Sequence, residues 1–405
     1  LKDDKRMDKY TALDPLRDFL KSGDVALVRA SHLLSLPSGG KFLRRQDLPP
    51  EAAVDDAMLD RSFAELEAWH MWLQTAQSGG RRRLFHLLMR FPPFVVVSYA
   101  WSAPQHPDAD GRQLREVLAP ALKWYMCERA KLIRDGGHLD SPRIPNTFDL
   151  DGCDFCIFLD YSSMYQHSPD SHECESCKKS KQGPCELHRR SAAEEDSFKR
   201  ALRSMDLLYA HQHTCVWRMT RRLDGQSGLE YKDRGWPTFE TSVSWLITHG
   251  PNCLDLGTER ARKLLRPSKQ GVLRRLLGSS RRLPPHSECR AEQLADLASY
   301  ESFEEPGIHG LLQDSRRPPT VPADFEREME DKILTNGKDK EVVIKLQREV
   351  ATVVLSNVET LNFSSLGWSA GDAKCLAKAL PHCWRLKSLN VTDNALGRAG
   401  AEILA

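Results

Sequence analysis

Phe94-Val95-Val96-Val97-Ser98-Tyr99-Ala100-Trp101 is the stretch that decides the fold. Four consecutive apolar residues, β-branched in three places and preceded by Pro92-Pro93, have the length and composition of a strand buried on both faces. Ser98 then begins a polar exit. Working outward, the next apolar run is Phe155-Cys156-Ile157-Phe158-Leu159, and a third is Cys215-Val216-Trp217-Arg218-Met219. Between these runs lie amphipathic stretches. Leu114, Val117, Leu118, Ala121, Leu122 and Tyr125 form one helical stripe, in which Pro120 predicts a kink or a late helix start because a proline inside a helix costs about 3 kcal/mol. Phe198, Ala201, Leu202, Met205 and Tyr209 form a second stripe, opened by Ser191 and Glu194 at the spacing of a capping box. A third helix carries Phe239, Val243, Leu246 and Ile247. Short buried strands alternating with helices predict an α/β fold, a parallel sheet of flavodoxin-like type flanked by helices, over residues 89–255.

Around this block the chain reads differently. Residues 1–88 form a helical N-terminal segment whose clearest element runs from Asp56 to Thr75, with Leu59, Phe63, Leu66, Trp69 and Leu73 at helical spacing. Ser78-Gly79-Gly80 and Arg81-Arg82-Arg83 read as a loop with solvated charge. Residues 256–323 are a basic helical segment followed by a proline-rich linker. Leucines interleave its basic residues up to Arg282, which fits an amphipathic helix pair or a surface for an anionic partner. A helical connector spans 324–355. Leu361-Asn362-Phe363 and Leu389-Asn390-Val391 are offset by the same interval as Trp368 and Leu396, and as Leu376 and Leu404, so residues 356–405 contain an internal repeat. Its second copy reads Leu386-x-x-Leu389-x-Val391-x-x-Asn394-x-Leu396.

Bulk properties exclude several classes. With 58 basic and 56 acidic residues in 405, net charge +2, no global field commits the chain to nucleic acid, a membrane surface or an acidic substrate. No apolar run reaches the length of a membrane span and the first residues have no signal-peptide pattern, so the expected location is cytoplasmic. Eleven cysteines without a secretion signal fit reduced thiols. The sequence begins without Met and stops within a repeat, and the repeat array is expected to continue past Ala405.

Cys174-x-x-Cys177 followed by Cys185-x-x-His188, inside a polar insertion at 167–190, is a local set of zinc-type ligands suited to a closed tetrahedral site, with His172 as a spare fourth ligand. The other reading is a loop with free thiols. Cys153-x-x-Cys156 has similar spacing but falls at a strand, where burial of the thiols is expected instead. His70, His86 and His249 have no partner set.

Three elements at the strand ends resemble a known family: Val97-Ser98-Tyr99-Ala100-Trp101, Phe158-Leu159-Asp160-Tyr161 through Gln166, and Arg234-Gly235-Trp236-Pro237-Thr238-Phe239-Glu240. In this order they resemble the heterokaryon-incompatibility (HET) domain and the related TIR domain, and Arg200, Met205 and Tyr209 fall near the landmarks of a HET helix. The C-terminal repeat resembles the ribonuclease-inhibitor type of leucine-rich repeat, found in NLR-type receptors. These resemblances imply an innate-immunity-like signalling module that self-associates and binds protein partners through its repeats. The TIR resemblance further implies NAD as a substrate, with Glu240 as the catalytic carboxylate.

In an open α/β sheet, ligands bind beyond the carboxyl ends of the strands, where Ser98, Trp101, Asp160 and the turn from Arg234 to Glu240 are expected to converge. A carboxylate there stabilises the cation that develops when the nicotinamide–ribose bond breaks, or orients the ribose hydroxyls. Trp101, Tyr161 or Trp236 would stack on a ring of the ligand, Ser98 and Tyr99 would line the site, and Arg234 would meet the diphosphate. The competing reading makes Trp236 core, pairs Glu240 with Arg234, and leaves a non-catalytic interaction scaffold.

Overall fold

The computed structural model describes residues 5–37, 39–75, 91–103, 106–136, 153–168, 174–179, 184–226, 228–247, 253–265 and 316–405. The triple-arginine run, most of the basic segment with its proline-rich linker, and His86, His172 and His249 lie outside them, as does the side chain of His70.

The three apolar runs form adjacent parallel strands. β2 (Phe94–Tyr99) lies at the centre of a five-stranded sheet, between β3 (Cys156–Leu159) and β4 (Thr214–Met219). β5 (Cys253–Asp255) extends the sheet beyond β4 in parallel, while β1 (Val28–Arg29) caps the far edge antiparallel to β3, giving the order β1-β3-β2-β4-β5. Every residue of β2, β3 and β4 is buried, which explains their unbroken apolar character. Neither edge strand was legible as a strand. At two and three residues, each is too short to show a period, and pairing with a long neighbour makes it a strand.

Helices cover both faces. α1 (Leu13–Lys21) and α2 (Asp56–Thr75) come from the N-terminal segment, and Phe63 of α2 packs on Phe94 at 5.0 Å between ring centroids. The segment is therefore not purely helical and not separate: it supplies β1 and shares one core with the sheet. α3 (Ala119–Gly136) follows β2 and sets Tyr125 against Phe155 and Trp217. Its entry takes the detour that Pro120 requires. Residues Leu114–Leu118 form a wide π turn, since Pro120 has no N–H to give to the preceding turn.

After β3 come α4 (Ala192–Arg203) and α5 (Met205–Ala210), expected as one helix but broken at Ser204. The capping box is present: Ser191 N–H donates to Glu194 and Glu194 N–H to Ser191 Oγ, at 2.8 and 3.3 Å. α6 (Gly235–Ile247) follows β4 and packs beside α5. Strand order and helix placement make a doubly wound unit in which the chain leaves β2 toward β3 and later returns past it to β4.

The connector is a structural layer. α7 (Pro322–Glu328) leads into α8 (Asp339–Asn357), which lies along α6 and buries Val343, Leu346, Val350 and Val354. Beyond it, β6 (Thr360–Asn362) and β7 (Ser388–Asn390) pair in parallel, Leu361 opposite Leu389, and α9 (Ala370–Ala379) packs on α10 (Gly397–Leu404). Asn394 ties the two copies. Its side chain accepts the N–H groups of Leu366 and Trp368 and donates to the carbonyls of Phe363, Val391 and Thr392. Five contacts from one amide satisfy turn backbone that would otherwise be left without partners, which is why asparagine stands there.

Candidate functional site at the rim of the sheet

Alternation along β2 sends Ser98 and Tyr99 to opposite faces of the sheet. Each becomes the anchor of a separate cluster, so the residues expected in one pocket are divided between two.

On the first face, Ser98 Oγ donates to Glu240 Oε2 at 2.5 Å and lies 2.5 Å from the Tyr231 hydroxyl. Tyr231 also meets Thr241 Oγ1 at 3.0 Å, and the Tyr209 hydroxyl also bonds to the Glu240 carboxyl while lying 3.2 Å from the Val97 carbonyl. Glu240 reaches this position because it stands on the second turn of α6, the helix that packs on the β2–β4 face. Only 6 % of it is exposed, and burial pushes its carboxyl up to about 8 from an ordinary 4.5, against the lowering effect of the Ser98 hydrogen bond. It does not pair with Arg234. A buried carboxyl group bonded by two hydroxyl-bearing side chains, Ser98 and Tyr209, is the chemical character of this cluster.

On the second face, Asp160 accepts the Tyr99 hydroxyl at 2.5 Å, the Trp101 indole N–H at 3.0 Å and its neighbour's backbone N–H, that of Tyr161, at 2.6 Å. Burial raises its carboxyl pKa, opposed by those three hydrogen bonds and by the Arg234 guanidinium. The Tyr161 ring is itself buried, edge-on to Trp101 at 5.5 Å and beside His106 at 4.8 Å. A ring so enclosed has no free face for a ligand; Trp101 is half-buried. Gln166 closes this side by donating to the carbonyls of Asp160 and Met164.

Trp236 belongs to neither cluster. Its ring lies edge-on to Phe239 at 5.7 Å and its indole N–H donates to Asp339 at the start of α8. The connector fixes this end of α6 by backbone contacts as well, Gly235 N–H to Ile333 O at 3.0 Å and Ile333 N–H to Asp233 O at 2.9 Å. A Cβ on Gly235 would come within 2.7 Å of the Leu334 side chain, so a larger residue there would push the Leu334 side chain aside.

Tyr231 is the member of the site that the sequence reading passed over. It sits in a single 3-10 turn, Tyr231–Asp233, where no periodicity marks it. Its place nine residues before Glu240, just ahead of the Arg234-Gly235-Trp236 element, was the available signal. Tyr231 lines a small cleft formed by the segments leaving β2 and β4, with Trp101, Gln113, Thr220, Arg221 and Arg222 among its walls.

The insertion gathers a second kind of site. Cys174, Cys177, Cys185 and His188 present ligand atoms that all lie within 4.8 Å of one another. Cys174 Sγ is 3.9 Å from Cys185 Sγ, and His188 Nδ1 is 3.6 Å from Cys177 Sγ and 3.1 Å from Cys185 Sγ. Zinc–sulfur and zinc–nitrogen bonds of about 2.3 and 2.0 Å give tetrahedral edges of about 3.8 and 3.5 Å, close to these separations. The cluster can therefore hold a metal ion such as zinc. A backbone N–H, that of Cys185, already points at Cys177 Sγ from 3.2 Å, the contact that steadies a thiolate ligand. Cys153 and Cys156 lie elsewhere. Both are buried, and the Cys156 thiol is pushed up to about 12 by burial, the state of a core thiol.

No helix among the described residues is long and apolar enough to cross a membrane. Comparison with protein-family models, with curated proteins and with solved structures gives no match.

Proposed function

We propose that this chain is a HET/TIR-type signalling module of the cytoplasm, joined to protein-binding leucine-rich repeats as in NLR-like receptors, whose α/β unit cleaves NAD when its copies associate. The observation that carries the reading is the hydrogen-bonded pair Ser98–Glu240 at the C-terminal end of the central strand, where doubly wound folds place their chemistry. The nicotinamide–ribose bond of NAD breaks with its electron pair passing to the pyridinium nitrogen, which leaves as neutral nicotinamide without needing a proton. The ribose C1′ is left as an oxocarbenium-like cation. Water adds there and releases a proton, completing ADP-ribose. One ionised carboxylate near C1′ stabilises that cation, and Glu240 is the residue assigned to it.

Its raised pKa defines the resting state. Buried and protonated, Glu240 is a poor stabiliser of positive charge; hydration on opening would lower its pKa and ionise it. Activity that depends on self-association fits this arrangement, because a dry acid has to be exposed before it works. Repeats that recruit a partner, and a connector fastened to α6 through Trp236–Asp339, supply a route from binding to that exposure. In the insertion, the Cys3His set would hold a structural zinc that closes the loop.

A second reading is a non-catalytic scaffold, favoured by the burial of Glu240 against Ser98 and Tyr209 and by the make-up of the cleft walls, which do not include it. Incubating the purified chain with NAD and following nicotinamide release separates the two. Release that Glu240→Ala abolishes, and that climbs with protein concentration, supports the enzyme; no release at high protein concentration supports the scaffold.

A further inference from the structure

The insertion that carries the Cys3His set is anchored at its neck, where its two legs meet. Going out, the chain passes through Tyr165, Gln166, His167 and Ser168; coming back, it passes from His188 through Arg190 into Ser191, the cap of α4. Three hydrogen bonds join the legs. Ser168 N–H donates to the His188 carbonyl at 2.9 Å, Arg190 N–H to Nδ1 of His167 at 3.1 Å, and Arg190 Nη1 to the Tyr165 carbonyl at 3.0 Å.

The outgoing leg has anchors of its own. Gln46 donates its side-chain amide to the Gln166 carbonyl at 2.7 Å and accepts the Gln166 N–H at 3.3 Å, which ties this leg to the N-terminal segment. The returning leg depends on Arg190. Its side chain is only 9 % exposed, and the guanidinium lies 3.6 Å over the Phe198 ring and pairs through Nε with Glu195 at 2.9 Å, both on α4. One arginine thus grips α4 with one nitrogen and the outgoing leg with another.

His188 is where the neck and the ligand cluster meet. Its carbonyl belongs to the neck bond with Ser168, while its Nδ1 lies 3.1 Å from Cys185 Sγ and 3.6 Å from Cys177 Sγ. Short turns set the other ligands: the Cys185 carbonyl accepts the N–H groups of His188 and Arg189 at 3.0 Å each, and the Cys174 carbonyl accepts that of Lys178 at 3.0 Å. A ligand whose backbone is already fixed loses little freedom on binding, and a bound metal in turn restrains the backbone that carries the ligand.

We infer that metal binding and neck closure are linked: a divalent cation such as zinc, held by the Cys3His set, staples the start of α4 to the segment that follows β3, with Arg190 and His167 as the outer clasp of the site. The inference rests on the reading of that set as a zinc site. It reaches further than closing the insertion's own loop, because the clasp lies outside the four ligands and ends on α4. Linkage is reciprocal, so breaking the clasp weakens the metal and removing the metal loosens the clasp. Outer contacts around a metal site change its affinity by about tenfold or more.

The test is the zinc affinity of the full chain, measured by competition with a chelating dye, for the parent, Arg190→Ala and Arg189→Ala. Arg189 carries the same charge one position away, but its side chain is exposed and has no hydrogen bond or ion pair among the described residues, so it controls for charge alone. Arg190→Ala should weaken zinc about tenfold relative to Arg189→Ala. In the parent, zinc added after chelation should slow amide exchange at Ser168 and Arg190 about tenfold and leave that of β2 unchanged, a readout that needs neither a substitution nor an activity. Zinc bound by the parent but with equal affinity in the two variants, or with unchanged exchange at Ser168 and Arg190, would overturn the linkage and leave the zinc site standing. No zinc bound by the parent would remove the site and the linkage together.

Discussion

The two places where reactive side chains gather are built in opposite ways. The Cys174–His188 cluster draws four ligands from fifteen consecutive residues, keeps them partly exposed, and hangs on an insertion outside the sheet. The Ser98–Glu240 cluster draws on β2, α5, the Tyr231 turn and α6, partners up to 142 positions apart, and is dry. A local cluster depends on its metal and its turns, whereas the rim cluster depends on the whole core being closed around it. Substitutions at the two should therefore behave differently, and that difference can be tested.

The largest effect belongs to the core beneath the rim. Phe239, fully buried beside Glu240 on α6, should cost about 3–5 kcal/mol when truncated to alanine, measured by urea unfolding. A loss under 1 kcal/mol would mean that α6 is not held as described. Next comes the buried acid. Glu240 is raised to about 8 in the folded chain against 4.5 unfolded, so the native state keeps a proton that the unfolded chain releases. Its contribution is complete below about pH 4.5 and is lost as pH rises toward 8, at up to about 1.4 kcal/mol per pH unit. Glu240→Gln, neutral throughout, should flatten that slope in unfolding measured from pH 5 to 8, and an unchanged slope would show that the carboxyl is not buried as an acid.

Ser98→Ala removes a donor to that acid and should cost about 1–3 kcal/mol at pH 6. It should also shift the titration of Glu240 upward, since the Ser98 bond favours the charged form. The smallest effect on the core belongs to the insertion. Cys177→Ser should abolish binding of one zinc per chain, read by equilibrium dialysis, yet leave the urea unfolding free energy of the sheet domain within about 0.5 kcal/mol. Parallel collapse of both would merge the two regions into one folding unit.

Trp236 shows how far a motif can be read. Its place after Arg234-Gly235 and four residues before Glu240 is visible in the chain, and helix start and carboxylate follow from it. Its indole, however, is committed to Asp339, more than a hundred residues away, and no local pattern announces such a bond. Pro120 lies at the other extreme. Its missing N–H is a covalent property of one residue, so an irregular helix entry is expected from the sequence, and the structure supplies it as the wide turn at Leu114–Leu118.

What the chain determined alone was local or periodic: the three buried strands from unbroken apolar runs, the helix stripes, the Ser191 capping box, the repeat spacing that pairs Leu361 with Leu389, and the Cys3His ligand set. Tertiary structure alone decided that β1 and β5 are strands, that the connector is a layer on α6, and that Ser98 and Tyr99 lead to separate acids. The physical reason is range. Turns, caps and periods are fixed by bonds and by neighbours a few residues away, while burial, and with it the protonation of Glu240, exists only once distant segments have excluded water together.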